Sequence, residues 1–258
     1  MKNIHQLKNI ASHLLLCAAL FFHVSKSQSS AGSAAVTEPR FLVDLPTAGM
    51  IPAGKLAFDA DFYEAGGLLV GASVGALDCM LIGISYGGGG LVGSEKPSWN
   101  PSPGYFFRIR IVNETVILPA IALGFESQGK GPYIDSISGY SVKSQGFYAA
   151  ASKNYSMLGN LSLHAGINYS LEKTDGGQHP NLFAGAEKSL GPVVSLMLEY
   201  NPGFNEALGK GRGYLNAGMH IALGGGLTVG INVKDLLKSR EEAGFGNRTI
   251  TLEYVRNL

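Results

Sequence analysis

The chain has 258 residues, only 15% of them charged, with 36 glycines and a formal net charge of +1 at pH 7. Without Lys2, Lys8 and Lys26 of the N-terminal leader, 17 basic side chains face 19 acidic ones, which excludes the basic footprint of a nucleic-acid binder. Of the two cysteines, Cys17 lies in that leader and Cys79 remains alone, so no intramolecular disulfide framework exists in the exported chain.

Residues 1–27 have the form of a secretory signal. Lys2 and Lys8 precede an apolar run at 14–22, and Ser25, Ser27 and Ala31 follow as small residues for cleavage. The run is too short to span a bilayer as a helix, and Leu16 stands before Cys17 where a lipidation signal needs a small residue. Residues 28–54 read as a periplasmic lead-in, flexible as far as Arg40, and Pro46, Gly49, Pro52 and Gly54 mark turns before the first strand.

From Lys55 onward the hydrophobic period is two, the signature of strands with one apolar and one polar face. Residues 55–63 place Leu56, Phe58, Ala60 and Phe62 opposite Asp59 and Asp61. Residues 67–74 and 78–86 carry apolar stripes ending in Val74 and Tyr86. Residues 105–112 alternate Tyr105, Phe107, Ile109 and Ile111 with Arg108 and Arg110, and 119–127 set Ile121, Leu123 and Phe125 against Glu126. Residues 146–153 have no clear parity. Residues 161–171 alternate Leu161, Leu163, Ala165, Ile167, Tyr169 and Leu171 with Ser162, His164, Gly166, Asn168 and Ser170. The stretch 181–188 is the weakest strand signal. Residues 193–201 carry Glu199 on the polar face, 213–222 carry Asn216 and His220, and 227–234 carry Asn232 and Lys234. Residues 248–255 close the set.

About twelve strands result, an even number that puts both ends at one rim. The links between them alternate short and long, except for the short Glu64-Ala65-Gly66. The prediction is an all-β protein: an antiparallel transmembrane β-barrel over residues 55–258, in the outer membrane, with its apolar face against lipid. A secreted soluble β-protein would carry a charged outer stripe. A membrane helix over residues 68–86, with Gly71 and Gly75 at GxxxG spacing, is disfavoured by Asp78 and the repeated glycine breaks. Twelve strands lie between small barrels filled by side chains and wide open pores, so the lumen is predicted to be narrow or plugged.

The candidate lumen residues are Asp59, Asp61, Arg108, Arg110, Glu126, His164, Glu199 and His220, with Glu187, Glu253 and Lys234 beside them. Such a set forms either a selectivity surface or cross-strand ion pairs that fill a narrow barrel. The second reading is preferred for most of them. Ser162 and His164 invite comparison with lipid hydrolases, but both point to the lumen and no third residue orients the imidazole. The GxGxxG match at Gly88, Gly90 and Gly93 runs into Pro97, Pro101 and Pro103, so no helix follows to receive a pyrophosphate. No catalytic residue, cofactor or metal is assigned.

A series of local motifs carries a family likeness. It runs from Asp44-Leu45-Pro46-Thr47-Ala48-Gly49 through Leu81-Ile82-Gly83-Ile84-Ser85-Tyr86 and Trp99-Asn100-Pro101-Ser102-Pro103-Gly104. It continues in Leu118-Pro119-Ala120-Ile121 and Gly146-Phe147-Tyr148-Ala149. Together these resemble the YjbH-like outer-membrane barrels, described as exopolysaccharide biosynthesis proteins. The resemblance implies an outer-membrane location and a part in export or assembly of polysaccharide, with polysaccharide or other envelope proteins as partners besides lipid. It supplies no site residues. Solute passage, a scaffold role without transport and, least favoured, lipid hydrolysis are the functions that remain in view.

Overall fold

The computed structural model describes residues 37–206, 211–240 and 247–258. The expected signal at 1–27 and the lead-in up to residue 36 lie outside the described residues. Among the described residues fifteen strands follow in chain order: β1 Lys55–Tyr63, β2 Gly67–Leu77, β3 Met80–Gly89, β4 Ser98–Trp99, β5 Gly104–Val112, β6 Ala120–Glu126, β7 Lys130–Ile134, β8 Gly139–Val142, β9 Gly146–Ser156, β10 Asn160–Tyr169, β11 Asn181–Leu190, β12 Val194–Asn201, β13 Tyr214–Gly224, β14 Leu227–Lys234 and β15 Asn247–Asn257.

Twelve of these close into an antiparallel barrel. β1 pairs with both β2 and β15, in a register from Lys55 opposite Asn257 to Phe62 opposite Ile250. β3 pairs with β2 and β5, and β6 pairs directly with β9, so no open edge remains among the twelve. The two-residue β4 adds to the end of β3, and β7 with β8 forms a separate hairpin inside the loop between β6 and β9. Neither was legible in the sequence. Residues 130–134 contain Gly131 and Pro132, which argue against a strand until a partner is in place.

The outward face is apolar where a soluble protein would be charged. Leu198, near the middle of its strand, and Ile250 are each 50% exposed, and Ile84, Leu163 and Ile231 are comparably bare. Leaving such stripes in water would be unfavourable by about 25 cal/mol per Å² of apolar surface. Tyr86, Tyr105, Phe125, Phe147 and Tyr200 ring the strand ends next to the long loops, while Tyr155 and Tyr254 sit near the opposite ends. Phe125 and Phe147 are 4.9 Å apart, and Tyr86 stacks on Trp99 at 5.6 Å. An apolar band between aromatic girdles is the outer surface of a barrel embedded in lipid.

The stretch at 68–86 is the β2–β3 hairpin rather than a helix. β9 resolves its parity by turning Phe147 and Tyr155 outward and Tyr148, Ala150 and Ser152 inward. The alternating stripe that begins at Leu161 ends as a strand at Tyr169, two residues before Leu171.

Candidate functional site

The lumen is occupied by the chain's own N-terminal segment. Residues 38–51, expected to lie outside the barrel in the periplasmic lead-in, instead fold as a hairpin inside it. Thr47 N–H donates to Arg40 O at 3.1 Å, Leu42 N–H donates to Leu45 O at 3.0 Å, and Phe41 bridges Pro46. Thr47 Oγ1 donates to Pro39 O at 2.5 Å and accepts Gly49 N–H at 2.8 Å, tying the legs together. Gly49 is needed there, because a Cβ would stand 2.1 Å from Pro39 O. Both legs start from the short-turn rim, where Met50 N–H reaches Glu38 and Gly54 N–H reaches Gly75 O. The turn at Val43, Asp44 and Leu45 lies deepest, beside Glu199 near the long-loop ends of the strands.

The wall holds this hairpin through its polar stripe. The Glu199 carboxylate accepts N–H bonds from Val43, Asp44 and Leu45 at 3.0–3.1 Å, and a fourth bond from Asn216 Nδ2 at 2.8 Å. Three successive amides converging on one anion form a backbone nest. Lys234 Nζ donates to Asp44 Oδ1 at 2.8 Å and lies 3.7 Å from Asp61. Arg40 donates to Asp59, Glu253 and Ser73. Arg110 pairs with Glu38 and donates to Ala48 O. Arg108, fully buried, donates to Gly49 O at 2.7 Å and Tyr148 Oη at 2.8 Å, with the Phe41 ring 5.2 Å from its guanidinium. Buried apolar clusters add to this, among them Leu42 and Val43 on Met197, Leu45 on Tyr148 and Phe183, and Met50 and Ile51 on Leu81 and Val255.

All eight sequence candidates face the lumen, but the expected cross-strand pairing needs correction. Asp59, Arg110 and Glu199 bond chiefly to the hairpin, because directly opposed wall residues do not supply matching charges. Asp59, for example, stands opposite Glu253. Glu126 lies 3.6 Å from Lys130 of β7, and His220 lines a cavity. The tempting serine and histidine do not meet. His164 Nδ1 bonds Ser152 Oγ at 2.8 Å, while Ser162 Oγ donates to Asn154. Ser152 Oγ also accepts Ala48 N–H at 2.8 Å, so this contact serves the hairpin.

Sequence reasoning missed Glu38, Arg40 and Asp44. Their one local signal was a set of charges spaced among apolar and turn residues just before the first strand.

Loops at the opposite rim are also tied to one another. Lys143 Nζ, buried, donates to Asp175 at 2.5 Å, Asn205 O at 2.6 Å and Gly177 O at 3.0 Å, binding three loops together. Burial works against the Lys130 ammonium, but Glu126, Asp44 and Asp61 outweigh it and hold its pKa above the ordinary lysine value. Between hairpin and wall a cavity of about 160 Å³ remains on the β1–β3 and β13–β15 side, and one of about 40 Å³ lies above the tip.

No protein-family model and no curated protein matches this sequence. Among solved structures the chain is similar to the KdgM porin, with 11% identity and a TM-score of 0.49, over 78% of this chain and 98% of that one. It is also similar to the Acinetobacter baumannii outer membrane protein Omp33, with 9% identity and a TM-score of 0.43, over 79% and 97% of the two chains. The chain's own surface carries the assignment: a closed sheet with an apolar belt between aromatic girdles is an outer-membrane β-barrel.

Proposed function

We propose that this protein is a normally closed outer-membrane passage for small polar solutes, opened when residues 38–51 leave the lumen. One observation carries the reading. Among the described residues, the hairpin makes no β-ladder with the wall, and its only bridge is internal. It enters and leaves at one rim, so withdrawal breaks side-chain bonds and uncovers the buried Leu42, Val43, Leu45, Ala48, Met50 and Ile51, but breaks no strand pairing. Water can replace polar contacts of this kind at a net cost of about 1.5–3 kcal/mol per hydrogen bond to a charged group. Short turns face the periplasm in such barrels, so withdrawal would be toward that side.

The YjbH-like resemblance favours a glycan as the solute. The buried Asn168, Asn181 and Asn201 network suits hydroxyl-bearing ligands, and the excess of wall carboxylates opposes a polyanion. Planar-bilayer recording tests the proposal. The full chain should stay silent, and a variant lacking residues 38–51 that retains heat-modifiable gel mobility should conduct. A folded deletion variant that never conducts would favour the scaffold role, to which the loops tied together at Lys143 also point.

A further inference from the structure

We infer that the lumen wall carries a binding site for a small organic cation, an alkylguanidinium or alkylammonium, and that Arg40 of the hairpin occupies it in the closed barrel. The inference rests on the reading that the hairpin can leave.

Asp59 and Glu253 are direct partners in the β1–β15 ladder, and both point into the lumen. Like charges placed opposite one another repel, so this pair needs a cation between its members. Neither strand supplies it; the hairpin does. Arg40 Nη1 donates to Asp59 Oδ2 at 3.1 Å and Ser73 Oγ at 3.0 Å, and Nη2 donates to Glu253 Oε2 at 2.5 Å and to Asp59 Oδ1. This is the fork that a planar guanidinium offers to carboxylates. Arg40 is 2% exposed, yet the carboxylate side chains keep 37% and 28% of their surface open toward the 160 Å³ cavity.

Two further observations point to a ligand. Glu126, 4% exposed, lines the same cavity, and its Oε2 accepts no hydrogen bond from the described residues. Asp61 Oδ1, also on that cavity, is in the same condition. The Phe106 ring supplies an apolar flank for a short alkyl stem. Lys130 at 3.6 Å from Glu126 and Lys234 at 3.7 Å from Asp61 partly offset those two acids. Asp59 with Glu253 is therefore the least compensated point of this cavity once Arg40 departs. Among the described residues, His, Cys, Asp and Glu side chains form no group that could hold a metal ion. The geometry thus suits a nitrogen cation with several N–H donors. A solute of that class would compete with Arg40, so its binding and hairpin withdrawal would reinforce each other.

The test uses n-propylguanidinium, with neutral n-propylurea as control. In the full chain, Arg40→Ala vacates the site while the other hairpin anchors remain. Millimolar propylguanidinium should raise the unfolding temperature of R40A but not of the parent, and propylurea should do neither. In the barrel lacking residues 38–51, calorimetric titration should detect propylguanidinium binding at least tenfold tighter than in the same barrel carrying Asp59→Asn and Glu253→Gln. Equal responses to both probes, absence of binding, or binding indifferent to D59N and E253Q would overturn the inference. Titration does not require current, so a silent deletion barrel would refute the gating proposal while this result still decides the cation site. If R40A does not fold, the deletion barrel decides it alone.

Discussion

Replacing Glu199 by alanine should loosen the hairpin at its tip without unfolding the barrel. The carboxylate accepts the N–H groups of Val43, Asp44 and Leu45, and its residue is 1% exposed. A buried donor left without a partner costs about 1–3 kcal/mol. The cavity of about 40 Å³ beside Asp44, Leu45 and Glu199 can admit water, so the lower figure applies. Three donors then amount to about 3 kcal/mol, a shift of about 150-fold in the docking equilibrium. Amide hydrogen exchange read by mass spectrometry on the detergent-solubilised barrel measures this directly. Peptides containing residues 43–45 should lose protection by about that factor, while peptides from β10 to β12 keep theirs. Glu199→Gln keeps one acceptor oxygen, and should cost nearer 1 kcal/mol. Unchanged protection at residues 43–45 in E199A would refute the claim that this carboxylate anchors the tip.

Two other perturbations address the wall and the exit of the hairpin. Leu198→Lys puts a charge on the outward face near mid-strand, where lipid contact predicts a loss of about 2–4 kcal/mol. Urea-dependent folding into phospholipid vesicles checks it, and an unaffected midpoint would mean that this face does not meet hydrocarbon. Gly75→Ala would set a Cβ 2.3 Å from Pro52 O and 2.5 Å from Ile51 O, both backbone atoms of the segment leaving the lumen. The strand cannot easily yield there, so protection at residues 48–51 should fall and single-channel openings, absent in the parent, should appear.

The barrel strands were legible because their signal is local. A period of two is set by the backbone itself, and it marked all twelve strands to within a few residues, including the inward direction of Asp59, Arg108, Glu126 and Glu199. It left only the facing of residues 146–153 open, where Ala149, Ala150 and Ala151 suit either face, and there the cross-strand neighbours on β6 and β10 decide. The β7–β8 hairpin escaped for a related reason: a strand interrupted by Gly131 and Pro132 forms only once Val142 and Tyr140 lie alongside it.

What the sequence by itself determined is the kind of wall: how many strands, which side faces lipid and which faces the lumen. What only the tertiary structure decided is what fills that lumen. Arg40 meets Glu253 across 213 positions, Asp44 meets Lys234 across 190, and Val43 meets Glu199 across 156. Periodicity in a window of ten residues carries no information about such pairs. They exist because closing the barrel gathers carboxylates from distant strands into one confined space, where their charges must be matched, and the segment just before β1 is tethered at the rim that opens onto it.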